Sequence, residues 1–377
     1  LAIADRPRVV VATPGDPLDP ATWSGSAAFL VRALERAGVL AGAIDGSSRA
    51  LDRVEQLASF SPDRTRWRQR FHSRSSLTSP LLRSARSRFA RRRLATEADV
   101  VLHVGAWTEL PGRLRGSYHD GNLAVSLARE EPLLDPRSRS VRRALEADRR
   151  FYDRMDVLLP MSEWLRRSFV ADFGQSPDKV VTVGAGANLH EVPELPERDY
   201  ESPRILFVGK QWERKGGPQL LEAFRLVRAE RPDAELWVVG PEQAPAAEAG
   251  VRFLGRISRA TPDGERRLGE VYAGATMFAM PSLYEPFGIV FLEAMAHGLG
   301  CVASDRCAMP EIVDDGATGY VVPARDVERL AQRLLDLAEP ERARAFGEAG
   351  RRRFLERFTW DAVAARMVEA LVSRSAR

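Results

Sequence analysis

The most constraining feature of this 377-residue chain is its rhythm: short β-branched runs alternate with amphipathic segments of helix length, and the alternation occurs twice. Apolar runs of four to six residues bounded by turn signals read as strands buried on both faces, and helices between them cover such a sheet. The pattern specifies α/β layers with parallel strands. In the first half, residues 8–13 (RVVVAT), 99–104, 157–160 and 180–183 read as strands. Residues 24–38, opened by serine and closed by glycine, read as a helix, as do about 138–154 and 162–173. Three prolines and a charge cluster then break the period over 187–203, which predicts a linker. The rhythm restarts with strands at 204–208, 235–239, 277–280 and 301–304 and helices at 216–229, 287–296, 326–337 and 340–356. The expected organisation is two domains, 1–190 and 200–357, followed by a helix within 358–377 that can pack on its own domain or cross back to the first. No repeat of 20–50 residues is visible, which argues against a solenoid.

Charge is unevenly distributed. The chain has 56 basic and 52 acidic residues, but only Lys179, Lys210 and Lys215 are lysines. Arginine is therefore background and lysine is informative. Eleven arginines and no acid lie between Arg64 and Arg93, so the 64–93 segment carries +11 and the remainder of the chain −7 against a total of +4. Trp67, Phe71, Leu77, Leu81, Leu82 and Phe89 interleave with those arginines. A helical face of this composition can meet an anionic membrane surface, and a solvated basic face is the plain alternative. No recognised nucleic-acid module accompanies it, so nucleic acid is not an expected partner. Cys301 and Cys307 form neither a disulfide framework nor a zinc spacing, which suits a reducing compartment. No apolar run approaches the ~18 residues of a membrane span. The residues from Leu1 onward lack a charged, apolar and small-residue leader pattern, so the expectation is a cytoplasmic protein, peripheral at the inner face of the membrane if the basic segment binds lipid.

Two segments carry chemistry. Residues 284–295 (YEPFGIVFLEAM) place Glu285 and Glu293 eight residues apart around Pro-Phe-Gly, between a strand ending at Met280 and a helix starting near Phe287. Free N–H groups at such a helix start attract phosphate or carboxylate, and flanking carboxylates can hold hydroxyl-rich groups. Taken alone, an ordinary amphipathic helix with one solvent-facing glutamate explains the segment equally well. Residues 207–217 (FVGKQWERKGG) form a strand, a glycine turn and a loop with two of the three lysines, Lys210 and Lys215, before a helix. That placement puts cations and amides around a phosphate at the carboxyl edge of a parallel sheet.

With these motifs, residues 200–375 resemble the nucleotide-sugar domain of retaining GT-B glycosyltransferases, specifically glycosyltransferase family 4 (group 1). The resemblance runs through FVGKQWERKGG, FLGRIS, MPSLYEPFGIVFLEAMAHG, ASDRCAMPEIVDDGATGYVVP and FTWDAVAARMVEAL. The first half resembles the family more loosely, through WSGSAAFLVRALERAG, YHDGN and the stretch 158–189. The resemblance implies a GT-B fold of two Rossmann-like domains with parallel sheets facing across a cleft. It further implies metal-independent transfer of a hexosyl group from a UDP- or GDP-linked sugar to a hydroxyl of a glycan, glycolipid or small molecule, with no bound cofactor. By the same resemblance Glu285 binds donor-sugar hydroxyls and Glu293 the ribose. Phe287, Gly288, Ile289 and Val290 present amides to the diphosphate and sugar. Lys215 binds phosphate, and Lys210 stands where arginine is commoner. Glu311 approaches the donor in a turn where Cys307 and Ala308 replace glycines. His119 in YHDGN matches an active-site histidine, against a bland reading as the end of a strand. Gly25 and Ser26 stand where paired glycines usually face the donor phosphates. His72, His103, His190 and His297 read as packing residues. Two rival readings are a catalytically silent GT-B scaffold that binds nucleotide or a partner enzyme, and a sugar-nucleotide epimerase.

Overall fold

The computed structural model describes residues 6–20, 22–60, 62, 80–94, 98–129, 135–241, 248–259 and 261–375. Trp67, Phe71, His72 and Leu77 of the arginine-rich segment lie outside the described residues. The chain divides into one unit of Leu1–Gly184 with Trp360–Arg377 and a second of Ala185–Thr359.

In chain order the first unit contains β1 (Val9–Thr13), α1 (Ser26–Arg36), β2 (Leu40–Asp45), α2 (Arg49–Ser59), α3 (Pro80–Arg91), β3 (Val100–Val104), β4 (Leu114–His119), α4 (Leu123–Leu127), α5 (Arg139–Arg154), β5 (Val157–Pro160) and α6 (Glu163–Ala171). The strands form one sheet in the order β2-β1-β3-β4-β5, every pair parallel. β1 and β3 are buried along their whole length, as expected of β-branched runs covered on both faces. The helices start where side chains replace missing backbone partners. Ser138 Oγ accepts from the Val141 N–H before α5, and Ser162 Oγ from the Leu165 N–H before α6. α5 buries Val141, Ala144, Ala147, Asp148, Phe151 and Tyr152, a single face at helical spacing.

The structure departs from the sequence reading at several places here; among them, α2 and α4 have no counterpart in it. β2 (LAGAID) and β4 (LRGSYH) were not expected as strands; glycines and polar residues dilute their periodicity, and pairing with β1 and β3 makes them extended. Residues 180–183 form one bridge, Leu158 to Val180, rather than a strand. The Val181 and Val183 N–H groups donate to β5, but the Arg366 guanidinium takes the Val183 carbonyl. The helix expected over 24–38 is broken at its start. Trp23 (φ 50°), Ser24 (φ 56°) and Gly25 (φ 87°) are left-handed, and α1 begins at Ser26.

The second unit runs β6 (Arg204–Val208), α7 (Gly217–Glu230), β7 (Glu235–Val239), β8 (Val251–Gly255), α8 (Pro262–Gly274), β9 (Met277–Met280), α9 (Ile289–Ala296), β10 (Gly300–Ser304), α10 (Met309–Ile312), β11 (Gly319–Val322), α11 (Val327–Ala338) and α12 (Pro340–Arg357). Its parallel sheet has the order β11-β10-β9-β6-β7-β8. α9 buries every residue from Phe291 to Ala296, so its one charged residue, Glu293, must be paired inside the protein. Residues 187–203 contain neither helix nor strand, yet they are pinned to this unit: Arg198 donates to the carbonyls of Ala273, His297 and Gly298. The last helix, α13 (Trp360–Ser375), belongs to the first unit. Arg36 donates to Asp361 at 2.6 Å, and Arg374 donates to the Asp156 carbonyl at 2.9 Å. No described helix is long and apolar enough to cross a membrane.

Candidate functional site

In the second sheet the strand order reverses between β6 and β9, which are neighbours through Ile205–Met277 and Leu206–Phe278. Ligands of open α/β sheets bind beyond the carboxyl ends of the strands at such a switch point. The loops that leave β6 and β9 there are residues 209–216 and 281–288. They are stitched together by the Leu283 N–H donating to the Arg214 carbonyl at 2.9 Å. Gly216, the cap of α7, has φ 73°, and a β-carbon there would sit 2.0 Å from the Pro281 carbonyl oxygen. Only glycine permits that approach. Gly288 caps α9 with φ 93°. Two helix N-termini therefore open onto one place with their partial positive charge; at α9 the Ile289 and Val290 N–H groups have no backbone partner among the described residues, whereas at α7 the Gly217 N–H donates to the Trp212 carbonyl and Pro218 has no N–H.

Between them lies a three-member ionic cluster. Glu285 Oε2 is 2.9 Å from Lys215 Nζ and 3.4 Å from Arg214, with side-chain exposures of 16% for Glu285 and 12% for Lys215. Arg214 also donates to the Tyr284 carbonyl and to Gln211. Burial raises the Glu285 pKa, but the Lys215 ammonium, and then the Arg214 guanidinium, outweigh burial and hold the carboxyl below its ordinary range. At about 3 Å and an effective dielectric constant near 20, each cation contributes roughly 5 kcal/mol of Coulomb attraction before desolvation. Two cations on one carboxylate leave the cluster with net positive charge. Such a cluster can receive an anionic group. On the same loops and the first turn of α7, Ser282 Oγ and Gln219 Oε1 are buried without a hydrogen-bond partner among the described residues.

Lys215 and Glu285, singled out in the sequence, are thus brought together. Lys210 is not: its side chain is exposed and no ion pair links it to the cluster among the described residues. The second cation is Arg214, which sequence reasoning missed because arginine is so common in this chain. Phe287 and Gly288 are buried, whereas Ile289 and Val290 are half-buried in the first turn of α9, which starts two residues later than expected. Glu293 lies about one turn inside α9 and is buried, not solvent-facing. Its Oε2 accepts from Arg259 at 2.6 Å and from the Tyr272 hydroxyl at 3.0 Å. The Tyr272 ring stacks on His297 at 4.8 Å, and His297 Nδ1 lies 2.8 Å from the Glu293 carbonyl oxygen. Arg259 and Tyr272 were also missed; they lie 34 and 21 residues away, and only the fold brings them to the carboxylate.

Glu311 lies in the short α10, where its carbonyl accepts from Arg353. Cys307, just before that turn, has φ 52°, the left-handed backbone for which glycine is the natural occupant. Burial, opposed by a hydrogen bond from the Glu285 backbone, pushes its thiol pKa up to about 11. The turn therefore abuts the Glu285 loop.

In the first unit, the sheet order reverses between β1 and β3. Gly25 and Ser26 follow β1 at that edge, both buried, with Gly25 capping α1. His119 ends β4, packed edge-on against Phe169 (5.2 Å) and Tyr152 (5.5 Å), and its Nε2 has no partner among the described residues. Burial, reinforced by His103, depresses its pKa to about 3, so the imidazole is neutral at neutral pH. His103 packs as expected. Nε2 accepts from the Leu110 N–H, and the opposite nitrogen therefore donates to the Gly116 carbonyl. His190 lies near Glu265 at 3.7 Å on the surface of the second unit.

Residues 202–340 match the family model "Glycosyl transferases group 1". Among curated proteins, the chain is 28% identical over 309 residues to alpha-maltose-1-phosphate synthase of Mycolicibacterium smegmatis, covering 72% of this chain and 79% of that protein. It is 30% identical over 228 residues to phosphatidyl-myo-inositol mannosyltransferase of the same organism, covering 58% of each, so it matches little more than half of that relative's length. Among solved structures, sucrose-phosphate synthase of Thermosynechococcus elongatus aligns over 96% of this chain and 97% of its own, with TM-score 0.66 and 19% identity. That likeness shows the fold.

Proposed function

Because the chain belongs to the group 1 glycosyltransferases, glycosyltransferase family 4, we propose that it moves a hexosyl group from a UDP- or GDP-linked sugar to a hydroxyl, with retention at the anomeric carbon. The observation that carries this reading is the Lys215–Glu285–Arg214 cluster between two helix N-termini at the β6/β9 switch point. As the sugar–phosphate bond breaks, the leaving diphosphate gains negative charge. Lys215, Arg214 and the amides at the start of α9 stabilise that charge before any reorganisation is needed. Lys210, on the exposed side of the same loop, adds a mobile point charge. Glu285 pairs with both cations and offers its carboxylate to donor-sugar hydroxyls. Glu293, oriented by Arg259 and Tyr272, takes the ribose hydroxyls. Glu311 and the Cys307 turn bound the sugar. By the family resemblance, His119 is assigned as a neutral hydrogen-bonding group of the first unit, and Gly25 and Ser26 as further donor-binding residues.

For the acceptor, we infer a hydroxyl on a phosphate-bearing sugar or polyol. One relative is named for making maltose-1-phosphate and another for acting on phosphatidyl-myo-inositol. Of the α3 arginines, at the described end of the 64–93 segment, Arg83 and Arg86 are buried in pairs with Asp148 and Asp52, and exposed Arg88 and Arg91 suit an anionic membrane surface that would present a lipid-borne acceptor. The test is a panel of UDP- and GDP-hexoses with such acceptors, followed by product mass and anomeric configuration. Acceptor-dependent diphosphate release with a retained anomer is the expected result. Thermal stabilisation by nucleotide without diphosphate release would identify a silent binder, and donor conversion without acceptor an epimerase; either result overturns the proposal.

A further inference from the structure

In the first unit, a cavity of about 480 Å³ opens between α3, the last two turns of α5 and the turn leading into β4. Six of its lining residues are arginines: Arg83, Arg88, Arg91, Arg115, Arg150 and Arg154. Three have acidic neighbours. Arg83 pairs with buried Asp148 at 2.7 Å, Arg154 clamps Glu109 through two bonds of 2.5 and 2.6 Å, and Arg115 lies 3.7 Å from Asp156. Among the described residues no acid pairs with Arg88, Arg91 or Arg150. The sequence just before α3 does not offer one either, because residues 64–79 contain five arginines and no acid.

The spacing concentrates this charge. Arg88 and Arg91 lie three apart on α3, and Arg150 and Arg154 four apart on α5, so each pair shares a helix face. Like charges at such spacing destabilise a helix, and a concave wall of low polarisability focuses their field. An anion inside relieves both effects. Guanidinium forks bind phosphate oxygens in pairs; the rest of the wall is Ser84 and Ser87, the Glu109 carboxylate already clamped by Arg154, and apolar Leu110, Pro111, Ala147 and Phe151. The volume lies in the range of small-molecule sites, roughly 300–1,000 Å³, and holds a phosphate together with the group that bears it.

This place is separate from the site already described. Arg115 is the second residue of β4 and His119 its last, so the cavity lies at the amino edge of the sheet, roughly 13 Å along the strand from the carboxyl edge. We propose that the cavity is a binding site for a phosphate diester or diphosphate group, carried by a soluble metabolite or by a lipid headgroup.

The test uses the full chain with two probes: inorganic pyrophosphate, and phosphatidylglycerol vesicles with phosphatidylcholine vesicles as the neutral control. Pyrophosphate is titrated in the Lys215→Ala background, which weakens binding at the donor cluster. Binding is followed by calorimetry and located by hydrogen-exchange mass spectrometry. The expected result is slowed exchange in 80–91 and 139–154 with at least one probe, and at least tenfold weaker binding in Arg88→Gln/Arg91→Gln/Arg150→Gln. Protection by pyrophosphate assigns a soluble ligand, and protection by the anionic vesicles alone assigns a headgroup. The single variant Arg150→Gln, which alters only one exposed side chain, should lose about threefold and keeps the test decisive if the triple variant folds poorly. Unchanged exchange in both helices with both probes, or affinities in the variants equal to the parent's, would overturn the proposal.

Discussion

Replacing Lys215 by alanine separates the chemical role of the Glu285 cluster from its structural one. Lys215 makes the closer of the two contacts to Glu285, at 2.9 Å against 3.4 Å for Arg214, and both members of that pair are largely buried. Stripping a buried carboxylate of its sole partner costs about 3–5 kcal/mol. Here Arg214 remains, so the expected loss is roughly 1–3 kcal/mol, which lowers the melting temperature by about 2–9 °C for a unit of this size. The catalytic loss should be larger. Removing one preorganised group opposite developing charge costs about 3–4 kcal/mol, a factor of 10²–10³ in turnover. The pH dependence supplies an internal check. Glu285 has a depressed pKa in the fold, so its contribution is present above the ordinary carboxyl range and is lost as pH falls toward the folded value. Because the Lys215 ammonium is the larger of the two charges that depress it, the parent and the variant should differ most near neutral pH, and the difference should shrink only as pH falls below the ordinary carboxyl range toward the folded value. Diphosphate release under saturating donor, with thermal melts at pH 7.5 and through the acid range, measures all three quantities. Transfer within threefold of the parent would refute the reasoning, whatever happens to the melt.

Three further outcomes follow from the packing. Tyr272→Phe removes one of two hydrogen bonds to Glu293 and should cost about 1 kcal/mol, whereas Arg259→Gln removes its countercharge and should cost about 3 kcal/mol. In steady-state kinetics both should raise the donor KM severalfold with a smaller change in kcat, and an unchanged KM would remove Glu293 from ribose binding. Burial depresses the pKa values of His103 and His297 to about 4 and that of His119 to about 3, so these rings stay neutral in the fold while the unfolded chain takes up protons near pH 6.5. Each should cost about 1.6 kcal/mol between pH 6.5 and 5, about 3 kcal/mol for the first unit, and urea midpoints that stay flat over that range would contradict it. Cys307→Gly relieves a left-handed backbone at φ 52° and should stabilise the second unit by up to about 1 kcal/mol; a lower melting temperature would show that the thiol's packing outweighs the strain.

Much of the architecture was legible in the residues, because buried parallel strands and amphipathic helices have different periods. β6, β7 and β9 lie where the sequence pattern places them. β2 and β4 were hidden because glycine and polar residues carry no clear period, and their extended form comes from neighbours distant in the chain. The break before α1 was hidden for a related reason: left-handed Trp23 and Ser24 are not predictable from residue type. At the site, the eight-residue spacing of the glutamates and the rarity of lysine directed attention to Glu285 and Lys215. Arg214 was lost among 56 basic residues, and Lys210, equally conspicuous, stays at the surface.

By itself the sequence determined which segments are strands or helices by strong period, where the lysine-bearing loop and the paired glutamates lie, and that positive charge gathers before residue 93. Those are local properties, set by side-chain chemistry within a few turns or strands. Only the tertiary structure decided which cation meets which carboxylate. Arg214 and Lys215 reach Glu285 across about 70 residues because β6 and β9 are neighbours, Arg259 just before α8 and Tyr272 near its end bring their side chains to Glu293 on α9, and α13 returns to the first unit. Pairing of this kind depends on strand order and on burial, which makes an unpaired charge costly, and neither is written in the spacing of residues along the chain.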